Sequence, residues 1–186
     1  MGKKKVKFAL YPILLMLIFL LFQCSNGSNL IRQSCQEASK GDPNLSYNFC
    51  VACLEANPKS RPTRIEELVD VSIRITKSNT TNIISNISEF LRNQNLSQYA
   101  KACLRDCFDL YSDALSELQD AVYAFNSGDL DTANIKVSAA LDASVTCEDQ
   151  FKEKKGETSP LTKDNNIYCQ LSAISLAFIQ MCHQNS

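Results

Sequence analysis

The 186-residue sequence has no tryptophan, one histidine, five glycines and five prolines. So little glycine and proline excludes collagen-like and low-complexity chains and disfavours a turn-dense β-sandwich. The one histidine, His183, lies three residues from the C-terminus, so the sequence offers neither a histidine-based catalytic triad nor a multi-histidine metal site. Nineteen basic against twenty acidic residues leave no basic excess for phosphate backbones. We therefore expect no nucleic-acid partner.

The start of the chain has the composition of a targeting segment. Four lysines within the first seven residues precede an apolar run from Phe8 to Phe22, and small residues follow it. This order predicts a secretory signal peptide over residues 1–27. The run of fifteen residues is interrupted by Pro12 and is shorter than the ~20 residues of a transmembrane helix. We therefore expect a secreted mature chain, residues 28–186, without a membrane anchor.

Cysteines and sequons agree with secretion. The chain has nine cysteines, and removal of the signal peptide takes Cys24 with it and leaves eight. An even number in a secreted chain favours disulfides over metal ligands. Four Asn-x-Ser/Thr sequons are candidate glycosylation sites, and they begin at Asn44, Asn79, Asn86 and Asn95. Three of them fall within seventeen residues, so we expect one glycan-bearing outer face; the alternative is a polar surface without sugar.

The apolar pattern predicts helices throughout the mature chain. Apolar residues recur at helical spacing, with no sustained alternation of period two. Residues 28–58 form a predicted helical hairpin, and residues 62–186 contain four amphipathic helices with two very short links. A capping box at residues 63–66 opens the first of these helices, which the polar run 77–82 could kink or divide. The sequence thus predicts an all-α protein, an up-down-up-down four-helix bundle preceded by a helical hairpin.

The bundle topology restricts which cysteines can meet. The start of the second bundle helix and the end of the third lie at the same end, which puts Cys107 within reach of Cys147. Cys35 and Cys50 lie on the two arms of the hairpin. In the chain-entropy model, bridges closing loops of forty and fifteen residues stabilise a fold by ~4 and ~3 kcal/mol.

Four cysteines remain after these pairs. Matching helix ends in the same way pairs Cys103 with Cys169 and Cys53 with Cys182. Eight cysteines allow 105 pairings, and the alternative is that some of these four are buried free thiols. A zinc site built from the Cys-x2-Cys and Cys-x3-Cys spacings is a further alternative, which secretion argues against. We expect no metal and no cofactor.

The sequence contains no recognisable catalytic constellation. Serines and cysteines are numerous, but only the terminal His183 could act as their base. Carboxylate pairs such as Asp106 and Asp109 fall on exposed helical positions, and neither a glycine-rich phosphate loop nor a dinucleotide fingerprint is present. We therefore predict that the protein is not an enzyme and acts through its surface.

Several segments together resemble the plant invertase and pectin methylesterase inhibitor family. They are the Cys35…Cys50 hairpin, Asp106-Cys107-x3-Tyr111-x2-Ala114, the stretch 137–151 with its Ser-Ala-Ala-Leu…Thr-Cys signature, and the late stretch 170–177. The long Cys35–Cys50 interval and the run Phe151-Lys-Glu-Lys-Lys-Gly resemble the plane-tree pollen allergen branch. The likeness spans essentially the whole mature chain.

The resemblance implies a fold, a mode of action and a location. The fold is a four-helix bundle with an N-terminal hairpin, and the disulfides are Cys35–Cys50 and Cys107–Cys147. The protein is expected to be a monomeric, secreted inhibitor in the cell wall. The vacuole is the alternative location. It would form a one-to-one complex with acid invertase or pectin methylesterase and block the active-site cleft. The alternative is a non-inhibitory secreted helical module that binds a small lipid or a receptor.

Two groups of residues are the target-binding candidates that the resemblance implies. Invertase inhibitors of the family carry Pro-Lys-Phe near the start of the third bundle helix, where this sequence has Leu130, Asp131 and Thr132. Pectin methylesterase inhibitors typically carry threonine after Ala-Ala-Leu and an acid two residues before the next cysteine. Asp142 and Val145 stand at those positions. The sequence departs from both patterns.

Overall fold

The structure is a computed structural model, and it describes residues 28–56, 62–92 and 95–185. The predicted signal peptide lies outside these residues. The helices are α1 (residues 28–41), α2 (Tyr47–Glu55), α3 (Ile65–Arg92), α4 (Gln98–Asn126), α5 (Leu130–Lys152) and α6 (Thr162–Asn185). No strand occurs within the described ranges. The all-α prediction is confirmed.

Helices α3 to α6 form the predicted bundle, and α1 and α2 form the hairpin before it. α3 packs against α4 and α6, and α5 packs against the same two helices, so α4 and α6 are diagonally opposite. A tight turn joins α4 to α5, and Gly128 takes a positive φ of 82° there, a backbone conformation that glycine adopts without steric cost. The short link makes α4 and α5 antiparallel neighbours.

Side-chain caps determine where the helices begin. The Ser97 hydroxyl accepts from the backbone N–H of Ala100 at 3.0 Å at the start of α4. Such a cap contributes about 1 kcal/mol to helix stability. At the start of α3, the Thr63 N–H donates to Glu67 Oε2 at 2.7 Å. The capping box was predicted to pair Thr63 with Glu66, and this partner is wrong by one residue. Because α3 begins at Ile65, the side chain of Glu67 is the one that reaches back to the Thr63 N–H.

α3 is continuous through the polar run that could have divided it. The hydroxyl of Thr76 donates to the Ser72 carbonyl at 2.9 Å, and the Thr80 hydroxyl donates to the Thr76 carbonyl at 2.8 Å. Both threonines are buried. Because their polar atoms bond within their own helix, they can face the core without an unsatisfied donor. The polar run therefore does not divide α3.

Two buried tyrosines join three helices at the centre of the bundle. The rings of Tyr111 in α4 and Tyr168 in α6 meet edge to face, with centroids 5.1 Å apart. The Tyr111 hydroxyl donates to Asn165 Oδ1 at 2.7 Å, and the Tyr168 hydroxyl donates to the Ala140 carbonyl of α5 at 3.0 Å. Burial raises the pKa of Tyr168 to about 12. Both phenols thus remain protonated donors.

Two disulfides cross-link the fold. Cys35 of α1 is bonded to Cys50 of α2, with Cα atoms 5.7 Å apart. Cys107 of α4 is bonded to Cys147 of α5, with Cα atoms 5.1 Å apart. All four residues are buried. These are the pairs that the resemblance implied.

The other two predicted bridges are absent from the structure. Cys103, Cys169, Cys53 and Cys182 are not joined in disulfides. The Cys103–Cys169 pairing is wrong because α4 and α6 are diagonal in the bundle, whereas a disulfide needs Cα atoms within about 7 Å. The Cys53–Cys182 pairing is wrong because the two residues lie at different levels of α6. Cys53 lines the same recess as Leu171. Cys182 is eleven residues after Leu171, which places it about 16 Å farther along the helix axis.

The hairpin is attached to α6 by one side chain in particular. Gln170 Oε1 accepts from the Ser46 N–H at 2.9 Å, and its Nε2 donates to the Asn44 carbonyl at 2.6 Å. Within the hairpin, Arg32 pairs with Glu55 at 3.1 Å. The hairpin therefore lies on the α6 side of the bundle, away from the diagonally opposite α4.

Candidate functional site

The candidate residues lie on α5 and at the turn that precedes it. Asp131, Ile135 and Asp142 are four and seven residues apart, so they form one outward stripe, and Val145 follows Asp142 by one turn. Near the end of the antiparallel α4, Tyr123 is exposed beside the same turn. We call Tyr123, Asp131, Ile135, Asp142 and Val145 the α4–α5 face.

The turn presents only one of the three residues predicted there. Leu130 is half-buried and packs against the core. The N–H of Thr132 donates to Asp129 Oδ1 at 3.0 Å, which caps α5, and this bond lowers the pKa of Asp129. Asp131 projects into solvent with 84% of its side chain exposed, and its Oδ1 lies 3.0 Å from His183 Nε2. The three residues belong to the first turn of a capped helix, and Asp131 is the one a partner can reach.

The exposed large apolar side chains are concentrated on the outer sides of α4 and α5. Of the four large apolar side chains that are exposed within the described ranges, three are Tyr123 at 67%, Ile135 at 65% and Val145 at 47%. The fourth is Tyr47 on α2, at 38%. Single exposed apolar residues are ordinary on protein surfaces, but several on one face mark an interaction site.

Tyr123 and Ile135 were missed from the sequence, although a signal for Ile135 was present. The buried stripe of α5 includes Ala133, Val137 and Ala140, and Ile135 lies off it by about half a helical turn. An isoleucine on the polar side of an amphipathic helix is the signal that could have identified it. Asp142 and Val145, the two candidates predicted on the helix, are both exposed, so a partner protein can reach them.

The α4 side of this face is acidic. Four exposed aspartates follow its outer surface, namely Asp106, Asp109, Asp113 and Asp120. Lys136 of α5 lies between the helices, with its Nζ 2.9 Å from Glu117 Oε2 and 3.2 Å from Asp120 Oδ2. These carboxylates raise the pKa of Lys136. The bridge links α5 to α4 halfway along the face.

The remaining thiols are not activated for chemistry. Burial raises the pKa of Cys53 to about 11, and it also raises the pKa of Cys103. A cysteine reacts as its thiolate, so both side chains are weak nucleophiles at neutral pH. Across residues 28–56, 62–92 and 95–185, no group of three histidine, cysteine or acidic side chains could hold a metal ion.

A separate cleft of about 590 Å³ lies on the other side of α5, between that helix, α6 and the end of α1. Its apolar lining comes from Ala38, Leu141, Ala173, Leu176, Ala177 and Met181. Leu141 lies one turn before Val145, so the cleft adjoins the α4–α5 face along α5.

The four sequons occupy two kinds of environment. Asn44 and Asn95 are exposed in turns, whereas Asn79 and Asn86 are half-buried in α3. Asn86 Nδ2 donates to Asp164 Oδ2 of α6 at 3.2 Å. The three sequons expected on one outer face thus differ in exposure, and their glycosylation stays a prediction.

None of the described helices has the length and apolar content that a bilayer crossing requires.

Comparisons with a family model and with individual proteins all identify the same family. A family model described as Plant invertase/pectin methylesterase inhibitor matches residues 29–178. A "Putative invertase inhibitor" of Platanus acerifolia is 41% identical over 164 residues, covering 88% of this chain and 91% of that protein. A protein of the same name from Platanus orientalis is 42% identical over 154 residues, covering 83% and 90%. "Pectinesterase inhibitor 12" of Arabidopsis thaliana is 37% identical over 169 residues, covering 89% and 96%.

Solved structures agree with the fold. Mutant form A of a pectin methylesterase inhibitor from Arabidopsis superimposes with a TM-score of 0.65 at 25% identity, covering 77% of this chain and 96% of that one. A pectin methylesterase inhibitor from Arabidopsis thaliana gives a TM-score of 0.58 at 26% identity, covering 78% and 95%.

Proposed function

Because the chain belongs to the plant invertase/pectin methylesterase inhibitor family, we propose that it is a secreted inhibitor of acid invertase or pectin methylesterase. It binds its enzyme one to one and covers the active-site cleft with the α4–α5 face. Family members inhibit enzymes, which agrees with the predicted lack of catalytic residues. The observation that carries the proposal is that three of the four exposed large apolar side chains of the described residues, Tyr123, Ile135 and Val145, lie on the neighbouring helices α4 and α5.

The exposed apolar residues suit an interface core. Removing a large apolar side chain from water contributes about 1.5–3 kcal/mol, and tyrosine is among the residues enriched at binding hot spots. A stable complex buries about 1,600 Å² in total, of which one partner supplies half. The two neighbouring bundle helices that carry the face have 29 and 23 residues.

The face is preorganised by three independent links between α4 and α5. The disulfide Cys107–Cys147 joins the helices at one end, and the Lys136 ion pairs join them halfway. At the other end, the Asp129 N–H after the turn donates to the Ala124 carbonyl of α4 at 2.9 Å. A surface that is already rigid loses little conformational entropy on binding, which favours tight association.

The charge of the face indicates the character of the enzyme surface it fits. The exposed aspartates of α4 and Asp131 and Asp142 of α5 give this side a negative potential. Complementary charge steers association and suppresses wrong partners. We infer that the target enzyme has a basic rim around its cleft and that added salt slows complex formation.

Secretion to the cell wall and a monomeric state belong to the same proposal. The signal sequence predicted over residues 1–27 and the two disulfides, which form in oxidising compartments, support export. Retention in the wall would then come through the enzyme partner.

Titration of the purified protein into acid invertase and into pectin methylesterase at mildly acidic pH tests the proposal. We expect loss of one of the two activities at an inhibitor-to-enzyme ratio of one, with a complex of one copy each by size-exclusion chromatography. Activity of both enzymes unchanged at micromolar protein would contradict it.

The two predicted groups of contact residues can be separated within the same assay. Asp131→Arg reverses the charge at the start of α5, and Asp142→Ala removes a charge from its middle. A loss of inhibition by the first variant places the turn over the enzyme cleft, whereas a loss by the second places the helix face there. Both side chains are exposed, so neither change disturbs the core.

The cleft between α1, α5 and α6 favours a second candidate function, binding of a small apolar ligand. At about 590 Å³ it has the size of a ligand site. Displacement of a fluorescent fatty acid would test this function. Leu176→Arg, at the cleft, should abolish displacement, and Tyr123→Ala, outside it, should leave displacement unchanged.

A further inference from the structure

We propose that the folded protein carries N-linked glycans on Asn44 and Asn95 and none on Asn79 and Asn86. The four residues share the same sequence motif, but the fold places them differently. This inference does not depend on which enzyme, if any, the protein inhibits.

The reaction defines which atom must be accessible in the product. An oligosaccharide is transferred from a lipid pyrophosphate donor, so that a bond forms between asparagine Nδ2 and the first sugar carbon. The sugar–phosphate bond breaks, the lipid pyrophosphate leaves, and the amide nitrogen gives up one proton. The modified Nδ2 must therefore project from the folded surface with room for a bulky substituent.

Asn44 meets this requirement in the turn between α1 and α2. Its backbone N–H donates to Asp42 Oδ1 at 2.8 Å, and its carbonyl accepts from Gln170 Nε2 at 2.6 Å. These contacts fix the main chain of the turn, and the exposed side chain takes no part in them. A glycan there leaves both hydrogen bonds intact.

Asn95 lies at the surface in the turn that leads into α4. The residue is exposed, and its sequon ends at Ser97, whose hydroxyl caps α4 and donates to Glu157 Oε1 at 2.7 Å. The cap positions the turn, and the asparagine precedes the helix. A glycan there does not enter a contact between helices.

Asn86 fails the requirement because its Nδ2 is used within the fold. That atom donates to Asp164 Oδ2 at 3.2 Å, and the side chain is half-buried where α3 packs against α6. Packed helix axes lie about 8–10 Å apart, which leaves no room for a sugar between them. A glycan on Asn86 would separate the start of α6 from α3.

Asn79 is half-buried in a recess bordered by α3, α2 and α6. Its Oδ1 is buried, and the residue lines the recess together with Phe49 and Cys53 of α2 and Leu171 of α6. The buried oxygen holds the amide group in this recess. A glycan on Nδ2 of the same amide would have to fit between the residues that line it.

The two permitted glycans leave uncovered the part of the α4–α5 face that lies near the α4–α5 turn. Asn44 is held against Gln170 on the α6 side, and α4 is diagonally opposite α6. Asn95 precedes α4, whose 29 residues put it about 43 Å from the turn at the other end. Sugars at these positions would shield the hairpin side and the far end of the bundle.

Site mapping of the secreted full-length chain tests the proposal. We would express it in a plant or insect secretory host, purify the folded monomer, and release the glycans with an amidase in ¹⁸O water before peptide mass spectrometry. We expect ¹⁸O-labelled aspartate at positions 44 and 95 in most molecules and unlabelled asparagine at 79 and 86. Labelling of most molecules at 79 or 86, or no labelling at 44 or 95, would overturn it.

Sequon variants give a second, independent readout. Asn44→Gln and Asn95→Gln should each lower the mass by one glycan. Thr81→Ala and Ser88→Ala destroy the two α3 sequons but retain Asn79 and Asn86, and they should leave the mass changed only by the substitution. A lost glycan in either α3 variant, or an unchanged glycan mass in either Gln variant, contradicts the assignment.

Discussion

The hairpin α1–α2 and the helix pair α4–α5 are each closed by one disulfide, but they differ in what else holds them together. α4 and α5 share a long buried interface, a capped turn and the Lys136 bridge. The hairpin has two short helices, a small buried cluster and the docking contact with Gln170. The same covalent bond therefore fixes a surface in one region and maintains the fold itself in the other.

The length of the closed loops does not predict this difference. In the chain-entropy model, the forty-residue loop of Cys107–Cys147 contributes ~4 kcal/mol and the fifteen-residue loop of Cys35–Cys50 ~3 kcal/mol. The contributions are similar, but the hairpin has far less packing to replace a lost bond. Context, and not loop length, decides what each disulfide does.

Removing each disulfide separately should give the largest effects. The double variant Cys107→Ala, Cys147→Ala should lower the free energy of unfolding of the bundle by about 4 kcal/mol, seen as a lower urea midpoint. The double variant Cys35→Ala, Cys50→Ala should leave that midpoint almost unchanged while amide exchange in residues 28–56 becomes fast. An equal fall of the midpoint in both variants would show that hairpin and bundle unfold as one unit.

Truncating the exposed apolar residues should separate the two regions in function. Tyr123→Ala and Ile135→Ala on the α4–α5 face should each weaken inhibition by about 2 kcal/mol, roughly thirtyfold. Tyr47→Ala on α2 is the matched control, because it removes an exposed tyrosine from the hairpin, and it should change inhibition little. The inhibition constants of the three variants show which region contacts the enzyme. If only Tyr47→Ala weakens inhibition, the hairpin is the contact surface.

Gln170→Ala should release the hairpin without unfolding either region. It removes two hydrogen bonds, each worth about 1 kcal/mol, between α6 and the α1–α2 turn. We expect faster amide exchange at Ser46 and unchanged exchange in the middle of α4. Gln170→Glu is the sharper control, since it keeps the acceptor and loses the donor. Unaltered protection of Ser46 in both variants would show that other contacts hold the hairpin.

The smallest effect on stability at neutral pH concerns the thiol of the hairpin. The pKa of Cys53 is about 11 against an ordinary value of 9.0, so the folded state holds this proton more tightly than the unfolded state. The resulting contribution to the free energy of unfolding is complete below about pH 9 and is lost as the pH rises to about 11. Alkylation of Cys53 by iodoacetamide should accordingly be slow at neutral pH and accelerate towards pH 11.

The same reagent sharpens the comparison between the regions. In the variant lacking Cys35–Cys50, Cys53 should react up to about a hundredfold faster at neutral pH, because two pKa units are lost when its burial is lost. Cys103 in α4 should keep its slow rate. Equal acceleration at both thiols would mean that the hairpin disulfide also holds the bundle closed.

The fold could be predicted because its cause is local. Helical spacing of apolar residues and two short links were enough to identify the bundle and to bring Cys107 near Cys147. The failed Cys103–Cys169 pairing shows the limit of that reasoning. Chain direction determines which helix ends lie together, but which helices are diagonal depends on the packed arrangement, and the diagonal here separates α4 from α6.

The candidate site was predicted in part. The residues of α5 were identified through the resemblance, and the structure places Asp131, Asp142 and Val145 at the surface but Leu130 against the core. The environment of Asn86 depends on Asp164, 78 residues away, so no local pattern indicates it. Contacts between segments that are distant in the sequence could not be predicted from local patterns.

Gln170 recognises the hairpin through main-chain atoms alone, the Ser46 amide and the Asn44 carbonyl. Every residue except proline presents that pair of groups, so this docking contact is indifferent to the side chains of the turn. The exposed side chains of this turn can therefore change while Gln170 continues to make the same two hydrogen bonds.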